Sequence, residues 1–560
     1  MNYYISNSGN DSNSGISQAT AWATLSKVNN SAFVAGDNVL FKRGDIWREQ
    51  LIIPSSGTSS NPIIFEAYGA GNDPIISAFD LVTIFIKEST NVWKTTVNTQ
   101  PTVVYFDANR GKLIGSTSCN NPYEWYWSNN TLYIYAPDDI DPTITYTSIE
   151  VAARDTCLTT NNKIFINVRY INFQGGNSIP EAMVEIGGWI TGIVEGIIIS
   201  NCKVEKGTQN AVRIRGGESA VSVIIDNCII INNGNDGIAV YDEFIFGQIS
   251  NSIISNNGLE GERNDWAASG IIGSLGNFDI YNNKVQNNQV ITAGTGSDQS
   301  HGIYIKPTST LVNIHDNIIS GHLNGRGIKS MGSATIYRNE IYDNYIDGIG
   351  FLDNGNLDIV ANIYSNIIYD NNILEGYSAG INIFNLDAGK VDVTIHNNTI
   401  YKNSKGNGRE INMFDTKGNI SIKNNIIWSV GNGVMFKIDA QSGTILSDYN
   451  LFWTESGLVN IIYDENYELQ LDAWRGYGFD QNGININPDF IEPGVNFKIQ
   501  SGSPAINIGV DVGLTSDYLG NPIVGLPDIG AYEYDSTQLK ILTSGGKILK
   551  RGTKLLVRGS

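Results

Sequence analysis

The chain has 560 residues, of which 41% are apolar and only 16% charged, a balance that excludes a disordered protein; no apolar run approaches the roughly 20 residues needed to span a bilayer. Its formal net charge of -20 repels nucleic acid phosphate and anionic lipid, so no nucleic acid and no membrane partner is expected. Glycine (60) and asparagine (67) together make up nearly a quarter of the residues, so the chain must turn often.

Four cysteines, Cys119, Cys157, Cys202 and Cys228, are too few for a disulfide scaffold and lack the CxxC spacing of a zinc site. Residues 1–20 have no basic start followed by an apolar stretch, so no secretory signal is expected in the chain as it stands. An extracellular setting would then be reached after removal of a signal, or by another route such as release in a virus particle.

In chain order, residues 1–84 read as an N-terminal cap and first coils. Residues 85–150 break the rhythm with Tyr123, Trp125, Trp127, Tyr133 and Tyr135 and are expected to form a small β insertion. Alternation from Leu132 to Tyr135 sends half of these side chains inward, which favours a local core over a sugar-stacking platform.

Residues 151–535 carry a repeat. An Asn followed closely by Ile or Val closes a short apolar stretch at Asn201, Asn227, Asn251, Asn283, Asn317, Asn339, Asn366, Asn398, Asn425 and Asn450, at intervals of 22 to 34 residues. A second marker keeps step with it, as in Asp236-Gly-Ile, Ser269-Gly-Ile, His301-Gly-Ile, Arg326-Gly-Ile and Asp347-Gly-Ile. Each unit holds two or three runs of four to six residues with period-two alternation and none of the 3.6 periodicity of a helix. One such unit cannot bury its apolar face alone, whereas units stacked in parallel cover one another, with Ile over Ile and Asn over Asn. Cys202 and Cys228 occupy equivalent places in consecutive units and read as stacked core thiols.

Residues 540–560 form three heptads beginning at Lys540, Lys547 and Lys554, with six basic residues and no acidic one, which leaves -26 on the rest of the chain. A Gly turn in every heptad describes short strands rather than a coiled coil. Such a tail suits either a frayed edge or an anchoring or oligomerisation tag, for instance in a homotrimer or on a phage tail.

On the coil repeat, on Ala21-Trp22-Ala23-Thr24-Leu25 and 36–44 near the start, and on Ser503-Pro504-Ala505-Ile506-Asn507 and Asp528-Ile529-Gly530-Ala531-Tyr532-Glu533 near the end, the chain resembles the right-handed parallel β-helix proteins of the pectin-lyase-like superfamily. The resemblance implies an all-β solenoid and an extended polysaccharide as partner. It leaves the chemistry open, since that superfamily includes lyases, glycoside hydrolases, esterases, epimerases and phage tailspikes.

Stacked coils bring equal positions into columns on the outside of the sheet that follows the Gly-Ile marker. One column runs Asp236, Ser269, His301, Arg326, Asp347, Ala379; the next Ala239, Ile272, Tyr304, Lys329, Gly350, Asn382; a third Tyr241, Ser274, Lys306, Met331, Leu352, Phe384. His301, Tyr304, Lys306, Arg326 and Lys329 thus gather in two adjacent coils, an unexpected cationic knot on an acidic protein. Elimination from a uronate needs a cation for the carboxylate, a base for the C5 proton and a donor for the departing oxygen, roles that fit Arg326, Lys329 or Lys306, and Tyr304 or His301. Asp236, Tyr241, Asp242, Glu243, Trp266, Asp298, Asp347 and Asp353 are expected to contact the substrate, with Trp266 and Asp298 on two long loops. The rival chemistry is glycoside hydrolysis by a carboxylate pair drawn from Asp236, Asp242, Glu243, Asp347 and Asp353. Order Asp236, His301, Arg326-Gly-Ile-Lys329 faintly resembles that of polygalacturonases, without their doubled Asp. A non-catalytic glycan-binding spike is the third reading. No metal site is indicated, and calcium held by loop carboxylates is left open.

Overall fold

A computed structural model describes residues 1–176, 182–188, 194–216, 221–241, 245–259, 268–288, 300–308, 310–352, 356–372, 378–385, 389–406, 408–431, 433–439, 443–464, 466–534, 542–544 and 547–549. These divide into two compact units, 1–333 and 334–560. No helix of the described residues is long and apolar enough to cross a membrane.

In the first unit each coil contributes three short strands to three parallel sheets. Sheet A holds strands such as Ile197–Ser200 and Val312–His315, sheet B strands such as Lys203–Glu205, and sheet C strands such as Val212–Arg215, Ile238–Val240, Ile271–Gly273, Ile303–Ile305 and Ile328–Ser330. The expected parallel β-helix is what forms. Alternation explains it: in Val312–His315 the valine and the isoleucine are buried and the residue that follows each of them is not. Pairing in register stacks Ile199, Ile225, Ile249, Ile280 and Ile314 into one internal column. Each such buried side chain contributes about 1.5–3 kcal/mol relative to an exposed one, and only neighbouring coils can bury it.

The turns between sheets A and B use asparagine in two ways. Asn201, Asn227, Asn251 and Asn282 take left-handed φ values of 54°, 51°, 53° and 55°, a conformation Asn adopts more readily than most residues. The next residue points inward, and here the expected asparagine column is one position out of step. Its early members are Cys202, Cys228 and Ser252, followed by Asn283 and Asn317, not Asn201, Asn227 and Asn251. Cys228 N–H donates to Ser252 Oγ, Ser252 N–H to Asn283 Oδ1 and Asn283 Nδ2 to Asn317 Oδ1. All four cysteines are buried and free.

The second unit repeats the three-sheet plan on its own. Its amide ladder runs Asn339, Asn366, Asn398, Asn425, Asn450, each Nδ2 donating to the next Oδ1 at 3.0 to 3.1 Å. A chain of amides that all donate in one direction needs an acceptor without protons at its end. Asp480 supplies one, accepting from Asn450 and from Trp474 Nε1. A second ladder, Asn344, Asn371, Asn403, ends likewise on buried Glu410. Residues of the closing segment, Phe490, Phe497, Ala505 and Ile529 among them, pack on Ile426, Trp428 and Leu451 of sheet B and cover its outer face.

Strands from Phe79–Leu81 to Ile149–Ala152 build two small sheets outside the coils. Trp125, Leu132 and Ile134 are in their shared core, so half of the aromatic segment packs locally as its alternation requires, and Trp127 Nε1 donates to Val97 O. In the C-terminal heptads Leu542–Ser544 and Lys547–Leu549 pair as an antiparallel hairpin; the third heptad lies outside the described residues.

Candidate functional site

Sheet C of the first unit has the register that the Gly-Ile markers predict. Glu185 pairs with Arg213, Arg213 with Ala239, Ala239 with Ile272, Ile272 with Tyr304 and Tyr304 with Lys329. The inward partners of this outward column are fully buried isoleucines such as Ile271, Ile303 and Ile328.

The neighbouring column differs from expectation. Asp236, Ser269, His301 and Arg326 are buried, with His301 wholly inaccessible, rather than displayed on the outside. Hydrogen bonding explains why these residue types occur there. Asn210 Oδ1 accepts the N–H of Asp236 (3.2 Å), Asp236 Oδ1 that of Ser269 (2.7 Å), Ser269 Oγ that of His301 (3.4 Å) and His301 Nδ1 that of Arg326 (3.1 Å). Each side chain offers an acceptor to the backbone of the following coil, which would otherwise bury a donor without a partner. In the second unit Asp347 does the same for Ala379 N–H and also accepts from Asn382 Nδ2.

His301 is therefore a neutral imidazole. Its Nδ1 accepts a hydrogen bond from the Arg326 N–H, so Nε2 carries the ring hydrogen, and burial, reinforced by the Arg326 and Lys329 charges, pushes its pKa well below the usual histidine range. A proton donor at neutral pH it is not. Its ring instead packs edge-on against Tyr304, with centroids 5.2 Å apart and planes at 78°.

Two tyrosine and lysine pairs occupy the outer face. Lys329 Nζ sits 4.8 Å from the centre of the Tyr304 ring, and Tyr304 Oη is 3.1 Å from Met331 Sδ. Lys306 Nζ leans back across two coils to 5.5 Å from the Tyr241 ring, which Arg215 approaches to the same distance. Cation and ring attract through the ring quadrupole, so each pair is held in place by its own electrostatics. Tyr241 Oη accepts from Asn210 Nδ2, the residue that opens the buried column. Burial raises the Tyr241 pKa, with Asp236 adding to the shift. Burial also pushes the Asp236 carboxyl up to about 7, against the bond from Ser269 N–H and the Lys306 charge that lower it.

Glu185 and Arg213 escaped the reading of the sequence. Arg213 Nε bonds both carboxylate oxygens at 2.8 and 2.9 Å, and both residues are buried. The signal was present in Asn210-Ala-Val-Arg213-Ile-Arg215, one coil before the columns begin. Asp242, Glu243, Trp266, Asp298 and Asp353 lie outside the described residues. Among the described residues no group of three or more His, Cys, Asp or Glu side chains is placed to hold a metal ion.

A family profile described as a right handed beta helix region matches residues 187–364 and, overlapping them, 276–448. A solved structure of XylC with xylose is 13% identical, covers 95% of this chain and 98% of its own, and superposes with a TM-score of 0.58. Pectate lyase Pel9A is 13% identical over 95% of this chain and 96% of its own, with a TM-score of 0.44. A GH136 lacto-N-biosidase from Eubacterium ramulus is 14% identical over 70% and 68%, with a TM-score of 0.38. No curated protein matches the chain. The fold is a right-handed parallel β-helix.

Proposed function

We propose that this chain is an extracellular polysaccharide depolymerase that cleaves a uronate-containing glycan by β-elimination on the outer face of sheet C. The observation that carries the reading is the Tyr304–Lys329 pair on adjacent strands, 4.8 Å from ring centre to ammonium. In this reading the pair supplies the proton acceptor and the proton donor, and Lys306, which leaves the Tyr304 coil and leans toward Tyr241, supplies the carboxylate partner by swinging back toward the pair when substrate binds. Lys329, in its unprotonated form, takes the C5 proton of the uronate. Electrons move into the C4–C5 bond as the C4–O bond breaks, and Tyr304 Oη gives its proton to the departing oxygen. Lys306 neutralises the substrate carboxylate and the enolate-like charge that builds on it. The buried Arg326 guanidinium adds positive potential, and His301 fixes the Tyr304 ring. Release of the protein in a virus particle, as a tailspike, would suit a chain that acts on surface glycans.

A second reading, glycoside hydrolysis, is favoured by one observation. Asp236, with a pKa of about 7, is protonated in part at neutral pH, as a general acid requires. Its burial and its bond to Ser269 N–H suit the backbone column equally well.

Incubation with acidic and neutral polysaccharides separates the readings. Elimination creates a conjugated double bond that absorbs in the ultraviolet, and hydrolysis creates reducing ends without it. Elimination is expected, abolished in Lys329→Ala and retained in Asp236→Asn. Reducing ends without ultraviolet absorbance would overturn it in favour of hydrolysis, and binding without any cleavage would leave a glycan-binding spike.

A further inference from the structure

We infer that the small β insertion carries a second glycan-binding surface, a tyrosine platform for neutral pyranose rings on the outer face of its five-stranded sheet. The inference is independent of the elimination reading. It starts from alternation. Turning Trp125, Leu132 and Ile134 into the local core turns Tyr126 and Tyr133 to the opposite face, where they pair across the strands Glu124–Ser128 and Thr131–Tyr135. The row continues through Lys94 of Val92–Thr96 to Ile86 of Ile86–Ser89, so Tyr126, Tyr133, Lys94 and Ile86 lie side by side on four neighbouring strands. None of the four is buried, and Ile86 is 64% exposed. On the same face Glu124 and Val92 are buried, so its accessible part runs from this row toward the turn at Asn129 and Asn130.

The chemistry of the row fits a sugar. The Tyr126 and Tyr133 ring centres are 6.3 Å apart with planes 34° from each other, whereas the stacked Tyr342 and Tyr369 rings close to 4.9 Å and 13°. Neither Tyr126 nor Tyr133 therefore shuts off the other's face. A tyrosine ring offers an apolar body and a polar tip, which match the C–H face of a pyranose and the hydroxyls around it. Glu88 Oε2 and Lys94 Nζ, 2.5 Å apart and both partly exposed, set a hydrogen-bond acceptor and a donor beside the rings. Their charges cancel, and the chain as a whole carries -20, so the surface holds no net attraction for an acidic polymer. The occupant it suits is a neutral ring.

Electrophoresis of the full chain through native gels that contain galactomannan, arabinoxylan or hydroxyethyl cellulose, with polygalacturonate as the acidic comparison, tests this. Retardation by at least one neutral polymer is expected. Tyr126→Ala and Tyr133→Ala should each raise the apparent dissociation constant about three- to tenfold, with urea midpoints showing that both variants fold. Glu88→Gln, at an exposed position, should weaken the retardation while leaving the rings in place. Lys329→Ala, on sheet C, should leave it unchanged. Retardation by no neutral polymer, retardation equal in the native chain and the tyrosine variants, or its loss in Lys329→Ala overturns the inference. None of these outcomes bears on the ultraviolet-absorbing product by which elimination is judged.

Discussion

Replacing Asp236 by asparagine separates its place in the backbone column from any part in proton transfer. Asparagine keeps an oxygen for the N–H of Ser269 and nearly the same volume, so the column persists. What disappears is the cost of ionising a buried carboxyl. In the folded chain that group titrates at about 7 rather than 3.8, so folding takes up a proton between those values. Stability of the native chain therefore falls as pH rises through this window, and the full deficit, about 4 kcal/mol at 1.36 kcal/mol per unit, is present above it. Asp236→Asn has no such slope. The variant should match the native chain at about pH 4 and exceed it by up to about 4 kcal/mol at about pH 8, read as urea midpoints of the full chain at both pH values. A difference that stays constant with pH would refute the argument that burial governs this carboxyl. The same variant serves as the activity control, since elimination predicts that turnover survives and hydrolysis predicts that it is lost.

Tyr304→Phe keeps the ring under Lys329 and removes the proton donor, so kcat should fall at least about a hundredfold with KM little changed; steady-state rates on the cleaved polysaccharide measure this. Arg213→Met leaves the Glu185 carboxylate buried without its guanidinium and should cost about 3–5 kcal/mol in urea unfolding, whereas pairing it with Glu185→Leu should recover most of the loss. Asn398→Leu deletes an amide that donates to Ile363 O, His396 O and Asn425 Oδ1 and accepts from Asn366, leaving several buried groups unbonded. A loss of about 3–5 kcal/mol is expected from the same measurement, against about 0.5 kcal/mol or less for a substitution at an exposed position.

The coil register was legible because two markers recur together. Ile after Gly must point inward and Asn must turn, so aligning Gly-Ile at 237, 270, 302 and 327 aligns Ala239, Ile272, Tyr304 and Lys329 as a matter of chain geometry. The asparagine column was misread by one residue in its first members. Asn201, Asn227 and Asn251 take the left-handed position, and the inward place next to them is filled by Cys202, Cys228 and Ser252, which sequence spacing alone does not distinguish. The knot was legible as a cluster but not as a division of labour. His301 and Arg326 were expected on the surface beside Tyr304 and Lys329, and period-two alternation ends where the strand ends.

Composition and periodicity determined that the chain is a solenoid of short parallel strands, because a unit with one apolar face per strand has no other way to bury it. They also determined which residues share a column. Whether a column faces solvent was decided only by the tertiary structure. A residue just before a strand has its orientation set by the hydrogen bond that its neighbour's backbone demands, and that demand exists only once the next coil has stacked upon it.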